Sequence, residues 1–172
     1  MAVATGLLTL GFCAEASASD SIELAGNVLE IVLPVGAGGL TLGLKDWQGS
    51  LQLAESEGVT IAATTVLKYS LDTRRPNGGH YSFPSEHASV SFSAAEFLRK
   101  RYGWEFGVPA YAAASFVAYS RVESNNHYSY DVIGGAAIGI LSSYIFTKPY
   151  KGWEVKTEAG PGLHGLFLSR SW

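Results

Sequence analysis

Three stretches of this chain, residues 31–44, 106–120 and 132–147, carry no charged side chain, and the polar clusters that stand out fall at the ends of such segments. A chain patterned this way has to bundle apolar helical segments against one another and leave its ionisable chemistry at the helix ends. Each stretch is shorter than the roughly 18 residues that argue for a spanning helix. Several are also rich in Gly, Ala, Ser and Tyr, so a buried helical core is the favoured reading. Admitting Glu23 and Glu30 lengthens the first stretch into a membrane candidate, which leaves integral insertion open.

Five helical segments are expected, at about 21–44, 48–72, 86–102, 107–121 and 127–147. The boundaries have physical causes. Pro76 disfavours helical geometry at Arg75, Asn77-Gly78-Gly79 is turn chemistry, and the Ser85 hydroxyl can cap the helix that follows. Gly103 and Gly107 separate the third and fourth segments, Ser124-Asn125-Asn126 the fourth and fifth, and Pro149 closes the fifth. Gly135 and Gly139, four apart, allow another helix to approach closely. The expected fold is all-α, a bundle of five to six helices with the site at helix ends and a short irregular C-terminal tail. The last residues, 166–172, alternate enough to be extended or a short strand.

The length of 172 residues suits one domain, and the net charge of −3 lacks the basic field that nucleic-acid binding needs. Cys13 is the single cysteine, which excludes a disulfide framework or a multi-Cys zinc site. Residues 1–13 are uncharged, and Ala16-Ser17-Ala18 supplies the small residues of a cleavage site before Ser19-Asp20. Residues 1–18 are therefore read as a signal peptide and 19–172 as one exported, periplasmic or envelope-associated domain. Phe12 is too bulky before Cys13 for a lipid-anchor motif. Oligomeric state is not encoded in any feature of the chain.

Three clusters carry chemistry. In the first, Lys68 and Arg75 are seven apart, two turns along one face if the helix persists that far, and can clamp a phosphate as a point charge and a planar fork. In the second, Phe83-Pro84-Ser85-Glu86-His87, a capped helix start offers unpaired backbone N–H groups to an anion, with His87 at the rim. In the third, which opens at Ser120-Arg121, His127 and Asp131 are four apart and would share a helix face, the carboxylate holding one ring nitrogen and freeing the other. Each alone has a blander account as a solvated helix end, an N-cap or a structural pair.

Together, in this order, Lys-x6-Arg-Pro, Pro-Ser-x-His and Ser-Arg-x5-His-x3-Asp resemble the signature of the type 2 phosphatidic acid phosphatase superfamily, which includes bacterial acid phosphatases and vanadium haloperoxidases. The resemblance runs from Lys68 to Asp131. It implies a metal-independent phosphatase in which His127 forms a phosphohistidine, Asp131 supports it and His87 is the general acid. Lys68, Arg75 and Arg121, with Ser85 and the backbone at Glu86, would hold the phosphoryl oxygens. It implies no cofactor, with vanadate as an inhibitor or, in a haloperoxidase, the bound group. The partner implied is a phosphorylated small molecule or a lipid phosphate.

Glu86 departs from the commonest form of the second motif, which has Gly. An acid beside phosphate needs a cation, and Arg74 or a neighbouring Arg is the expected partner. The acidic variant also resembles some undecaprenyl diphosphate phosphatases of the superfamily, which points toward polyprenyl diphosphates. Weighed against these readings are a metal hydrolase built on His80, His87, His127 and Asp131, and a non-catalytic anion-binding protein. His80 reads as an exposed loop residue. Tyr69, Tyr81, Tyr128 and Tyr130 either flank a lipid tail or pack helices, and His164 has no assigned role.

Overall fold

The computed structural model describes the backbone over residues 2–150, 153–160 and 163–170, and the side chains over 18–150. Five helices, α1 (Ala2–Gly43), α2 (Trp47–Leu71), α3 (Glu86–Tyr102), α4 (Trp104–Glu123) and α5 (Ser129–Phe146), precede two strands, β1 (Trp153–Gly160) and β2 (Leu163–Arg170). The helical bundle is the one the sequence predicts. The tail is not irregular: β1 and β2 pair antiparallel, with Trp153 opposite Arg170 and Gly160 opposite Leu163. The expected signal segment, residues 1–18, falls almost wholly outside the described side chains, as do Cys13 and His164.

α3 is the central helix and packs against all four others, which ring it in the order α1, α2, α5, α4. Close packing around a central helix demands small residues. Ala88, Ala94, Ala95, Ala110 and Ala114 are buried at these contacts, together with Ser89, Ser91, Ser93, Thr60 and Thr64. A Cβ on Gly135 would lie 2.3 Å from the Ser85 carbonyl oxygen, and one on Gly139 would lie 2.1 Å from that of Ser89, so α5 can cross α3 at this distance only as glycine. The close approach expected of this pair is thus made against α3.

Leu33, Leu53, Leu98, Val117 and Val132 are buried, but many other large aliphatic side chains point the other way. Ile31, Val32, Val35, Leu51, Val66, Ile133, Leu141 and Ile145 are all exposed, Ile133 to 68%. The stretches read as a buried core therefore bury faces made mostly of small and hydroxylated residues, with Leu33, Val117 and Val132 among them, and present most of their large apolar side chains outward. The physical reason is that Gly, Ala, Ser and Thr, not Leu and Ile, fit between closely spaced helices. Ala18–Gly43 and Ser129–Phe146 are long and apolar enough to cross a membrane.

Two boundaries move for identifiable reasons. Gly103, at φ 97°, ends α3 and lets α4 begin immediately at Trp104, three residues before the expected start, with Pro109 inside its early turns. α5 begins at Ser129, so His127 precedes the helix.

The end of the bundle remote from the polar clusters is held by one buried ion pair. Arg101 Nη2 meets Asp46 Oδ1 at 2.5 Å with both side chains 3% exposed. Its Nε donates to Asp46 Oδ2 at 2.7 Å, and its Nη1 donates to the carbonyl of Lys148 at 2.8 Å. Asp46 also accepts from Gly49 N at 2.9 Å, capping α2, and from the Tyr102 hydroxyl at 2.8 Å. One guanidinium thus ties together the start of α2, the end of α3 and the segment after α5.

Candidate active site

The opposite end collects the C-termini of α2 and α4, the N-termini of α3 and α5, and the early part of the described α1. Lys68 lies in the last turn of α2, buried, and its Nζ donates to the carbonyls of Pro84 at 3.0 Å and Tyr81 at 3.3 Å. α2 stops at Leu71, where Asp72 turns left-handed at φ 37°, so Arg75 sits in the loop and not two turns along the same helix face. That loop is closed by Arg75 N to the Gly79 carbonyl at 2.8 Å and by Arg75 Nε to the His80 carbonyl at 3.1 Å. The terminal nitrogens of the fork stay available to a ligand. Asn77 Nδ2 donates to Asn126 Oδ1 at 3.2 Å, joining this loop to the one between α4 and α5.

His127 is buried on that second loop. Its Nδ1 lies 3.5 Å from Asp131 Oδ2, an ion-pair distance that falls short of a hydrogen bond. The pairing arises because Asp131, in the first turn of α5, folds back to accept from Tyr128 N at 2.9 Å, not because both residues share a helix face. Asp131 is fully buried and is also held by Ser82, whose hydroxyl donates to Oδ2 at 2.5 Å. With Nδ1 directed to the carboxylate, Nε2 is the nitrogen left free. Burial, with the positive charges of Arg75 and Lys68 adding to it and Asp131 opposing, pushes the His127 imidazole down to about 4. The ring is therefore neutral and carries a lone pair near neutral pH, beside two cations.

Ser85 caps α3, its hydroxyl accepting from Ala88 N at 3.4 Å, and its own backbone N–H donates to the Asp131 carbonyl at 3.0 Å. His87 follows in the first turn, and its partners come from α1, which the sequence analysis did not assign to the site. His87 Nε2 is 3.1 Å from Asn27 Oδ1 and 3.0 Å from Glu30 Oε2. Arg121, buried at the end of α4, donates from Nη1 to Asn27 Oδ1 at 2.7 Å, from Nη2 to the Glu23 carbonyl at 2.8 Å and from Nε to Ser120 Oγ at 3.1 Å. α1 comes this near because residue 26 is glycine: a Cβ there would lie 2.0 Å from Ser120 Oγ.

Of the eight residues expected at the site, all gather at this end, but two have partners other than those expected. Arg121 is committed to α1. Glu86 forms no ion pair with Arg74, whose side chain is exposed, and the cation that feels its charge is Lys68. His80 is half exposed and pairs with Asp72 at 3.0 Å. Among the described residues no three His, Cys, Asp or Glu side chains gather as a metal-holding group, so the set of His80, His87, His127 and Asp131 is not formed. Ser82, Glu23, Asn27 and Glu30 were missed. For the last three a signal existed: Glu23 and Glu30 are the only charges in residues 21–44, and 23, 27 and 30 fall on one helix face.

The rim is aromatic. Tyr128 and Tyr130 stack at 5.2 Å between ring centroids, Tyr69 and Tyr81 pack at 4.8 Å, and all four are exposed.

Residues 60–153 match the PAP2 superfamily. The chain is 31% identical to the lipid A 4'-phosphatase of Helicobacter pylori over 170 residues, covering 88% of this chain and 85% of that one. Among solved structures, Aquifex aeolicus LpxE superposes with a TM-score of 0.57 at 20% identity, over 73% of this chain and 92% of that one. A transmembrane PAP2-type phosphatidylglycerolphosphate phosphatase from Bacillus subtilis superposes with a TM-score of 0.50 at 26% identity, over 77% and 84%.

Proposed function

The chain belongs to the PAP2 superfamily and is a phosphatase, and from that premise we propose that it is a membrane-embedded enzyme that removes phosphate from a phosphorylated glycolipid of the lipid A type. The observation that carries this reading is the placement of the site. A neutral buried imidazole, beside the charges of Lys68 and Arg75, lies at one end of a bundle whose outer face carries many large apolar side chains. Exposed Trp47 and Trp104 mark the other end, and exposed Tyr69, Tyr81, Tyr128 and Tyr130 mark the site end, as aromatic side chains do at the two membrane interfaces. A lipid lying in the bilayer would carry its phosphate to that level. The end remote from the site carries Lys45, Arg99, Lys100, Arg101 and Lys148 against Asp46, Glu96 and Glu105. The site end carries Lys68, Arg74, Arg75 and Arg121, so Lys and Arg are nearly balanced between the two ends and the positive-inside rule assigns neither to the cytoplasm.

In the proposed reaction His127 Nε2 attacks phosphorus and the bond to the leaving sugar oxygen breaks as His87 protonates that oxygen. Water, deprotonated by His87, then attacks the phosphohistidine, breaking the N–P bond and releasing inorganic phosphate. Lys68 and Arg75 neutralise the charge on the phosphoryl oxygens, and the backbone N–H groups after Ser85 add the donors of a helix start. No step in this scheme calls for a metal. The near-full-length likeness to a lipid A phosphatase outweighs the single Glu86 substitution that pointed to polyprenyl diphosphates.

The test is phosphate release by the purified protein in detergent and excess chelator, for wild type and His127→Ala, with lipid A, a polyprenyl diphosphate and p-nitrophenyl phosphate. Activity on lipid A that survives chelation and is abolished in the variant is the expected result. Loss of wild-type activity in chelator would overturn the mechanism, and a preference for the diphosphate would overturn the substrate.

A further inference from the structure

The imidazole of His87 is met from α1 in a way that settles its tautomer. Asn27 Oδ1 accepts a hydrogen bond from Arg121 Nη1 at 2.7 Å, and a guanidinium can only donate, so the atom at that position is the amide oxygen. The same oxygen lies 3.1 Å from His87 Nε2. Two acceptors cannot share a hydrogen bond, so Nε2 carries the hydrogen and donates. Glu30 Oε2, 3.0 Å from the same nitrogen, is a second acceptor.

These residues stand where an unpartnered acid is costly. Glu23 and Glu30 are the only charges in residues 21–44, a mostly apolar stretch of α1, and such groups persist in that setting when they have partners. They also lie outside the residues 60–153 that match the superfamily, so the motifs shared with it do not account for them.

We propose that Asn27 and Glu30 are positioning residues that hold the Nε2–H of His87, so that Nδ1 is the nitrogen that exchanges a proton with the leaving oxygen. When Nδ1 gives its proton to the sugar oxygen, the ring is left as the Nε2–H tautomer that α1 already accommodates. When water attacks the phosphohistidine, the proton returns to Nδ1, and neither step requires the ring to turn. Asn27 also links His87 to Arg121, so the start of α3 and the end of α4 are held by one amide of α1. This rests on His87 being the general acid of the proposed reaction.

The experiment separates a role through His87 from a merely structural one by leaving group. A sugar alkoxide needs protonation to depart, whereas p-nitrophenolate does not. kcat/KM is measured in detergent for wild type, His87→Ala, Glu30→Gln, Glu30→Asp, Asn27→Leu and the His87→Ala/Glu30→Gln double variant, on lipid A and on p-nitrophenyl phosphate. The ratio of the two activities within one preparation does not depend on how much protein is folded. Glu30→Gln and Asn27→Leu are expected to lose about 10- to 100-fold on lipid A, and at least about tenfold less than that on the aryl ester. Glu30→Asp recovers part of the loss, and Glu30→Gln adds little to His87→Ala. Equal losses on both substrates, or full multiplicative losses in the double variant, would overturn the inference. If His87→Ala itself falls equally on both substrates, the assignment of His87 as the acid fails, and the inference fails with it.

Discussion

Ser82 and Asp131, 49 residues apart and both fully buried, are joined by a 2.5 Å hydrogen bond from the serine hydroxyl to the carboxylate oxygen that faces His127. The loop that carries Arg75 and receives Lys68 thus also fixes the carboxylate facing His127, the proposed nucleophile. In Ser82→Ala that oxygen keeps only the Tyr128 amide, and the carboxylate gains freedom to turn from the imidazole. The expected result is a fall in kcat of about tenfold with KM little changed, measured by steady-state phosphate release. Equal activity in the variant would show that the first turn of α5 positions Asp131 unaided.

The buried imidazole of His127, pushed down to about 4 by burial and by Arg75 and Lys68, is expected to titrate well below an ordinary histidine near 6.5. NMR titration of the imidazole in detergent would read this directly. Between about 4 and 6.5 the unfolded chain binds the proton that the folded chain refuses, so stability rises with pH across that window. The contribution is complete above 6.5 and is lost as pH falls toward 4. A signal titrating near 6.5 would mean the site is wetter and less cationic than its geometry implies.

At the far end, burial raises the Asp46 carboxyl but the hydrogen bonds from Arg101, Gly49 N and Tyr102, together with the charge of Arg101, more than offset it, leaving it below its ordinary 3.8. The pair therefore contributes stability that is present above 3.8 and is lost as pH falls through the lower folded value. Arg101→Ala leaves Asp46 buried without its cation and is expected to cost about 3–5 kcal/mol. Thermal unfolding in detergent, followed with activity per folded molecule at low temperature, is the check. The fall in melting temperature should appear without a matching fall in activity, because the pair lies at the end opposite His127.

Gly139→Ala would place a Cβ 2.1 Å from the Ser89 carbonyl oxygen and 2.8 Å from Ser93 N, both backbone atoms of α3. The helices must separate, at about 1–3 kcal/mol. That crossing also fixes the start of α3, which carries His87, against the start of α5, where Ser85 N donates to the Asp131 carbonyl, so activity is expected to fall with stability. Gly36, with nothing within 4 Å of its Cβ position, is the control, and Gly36→Ala should leave both unchanged.

The number of helices, the residues at their ends and the reaction class were all legible in the chain. Uncharged stretches separated by Pro, Gly and Asn mark helices by local chemistry, and the order Lys68, Arg75, Ser85, His87, Arg121, His127, Asp131 is a linear pattern. Which face of each helix turns inward was not legible, because that depends on how near its neighbours come. α5 crosses α3 so closely at Gly135 and Gly139 that small residues fill the contact and Ile133 and Ile145 are turned outward. The part of α1 in the site was hidden for the same reason. Glu23, Asn27 and Glu30 become partners of Arg121 and His87 only because Gly26 lets α1 lie against the end of α4, roughly ninety residues further along the chain. Local spacing specifies helices and their end chemistry, whereas the partners of a charge across a bundle are decided by packing distances that exist only once the helices have met.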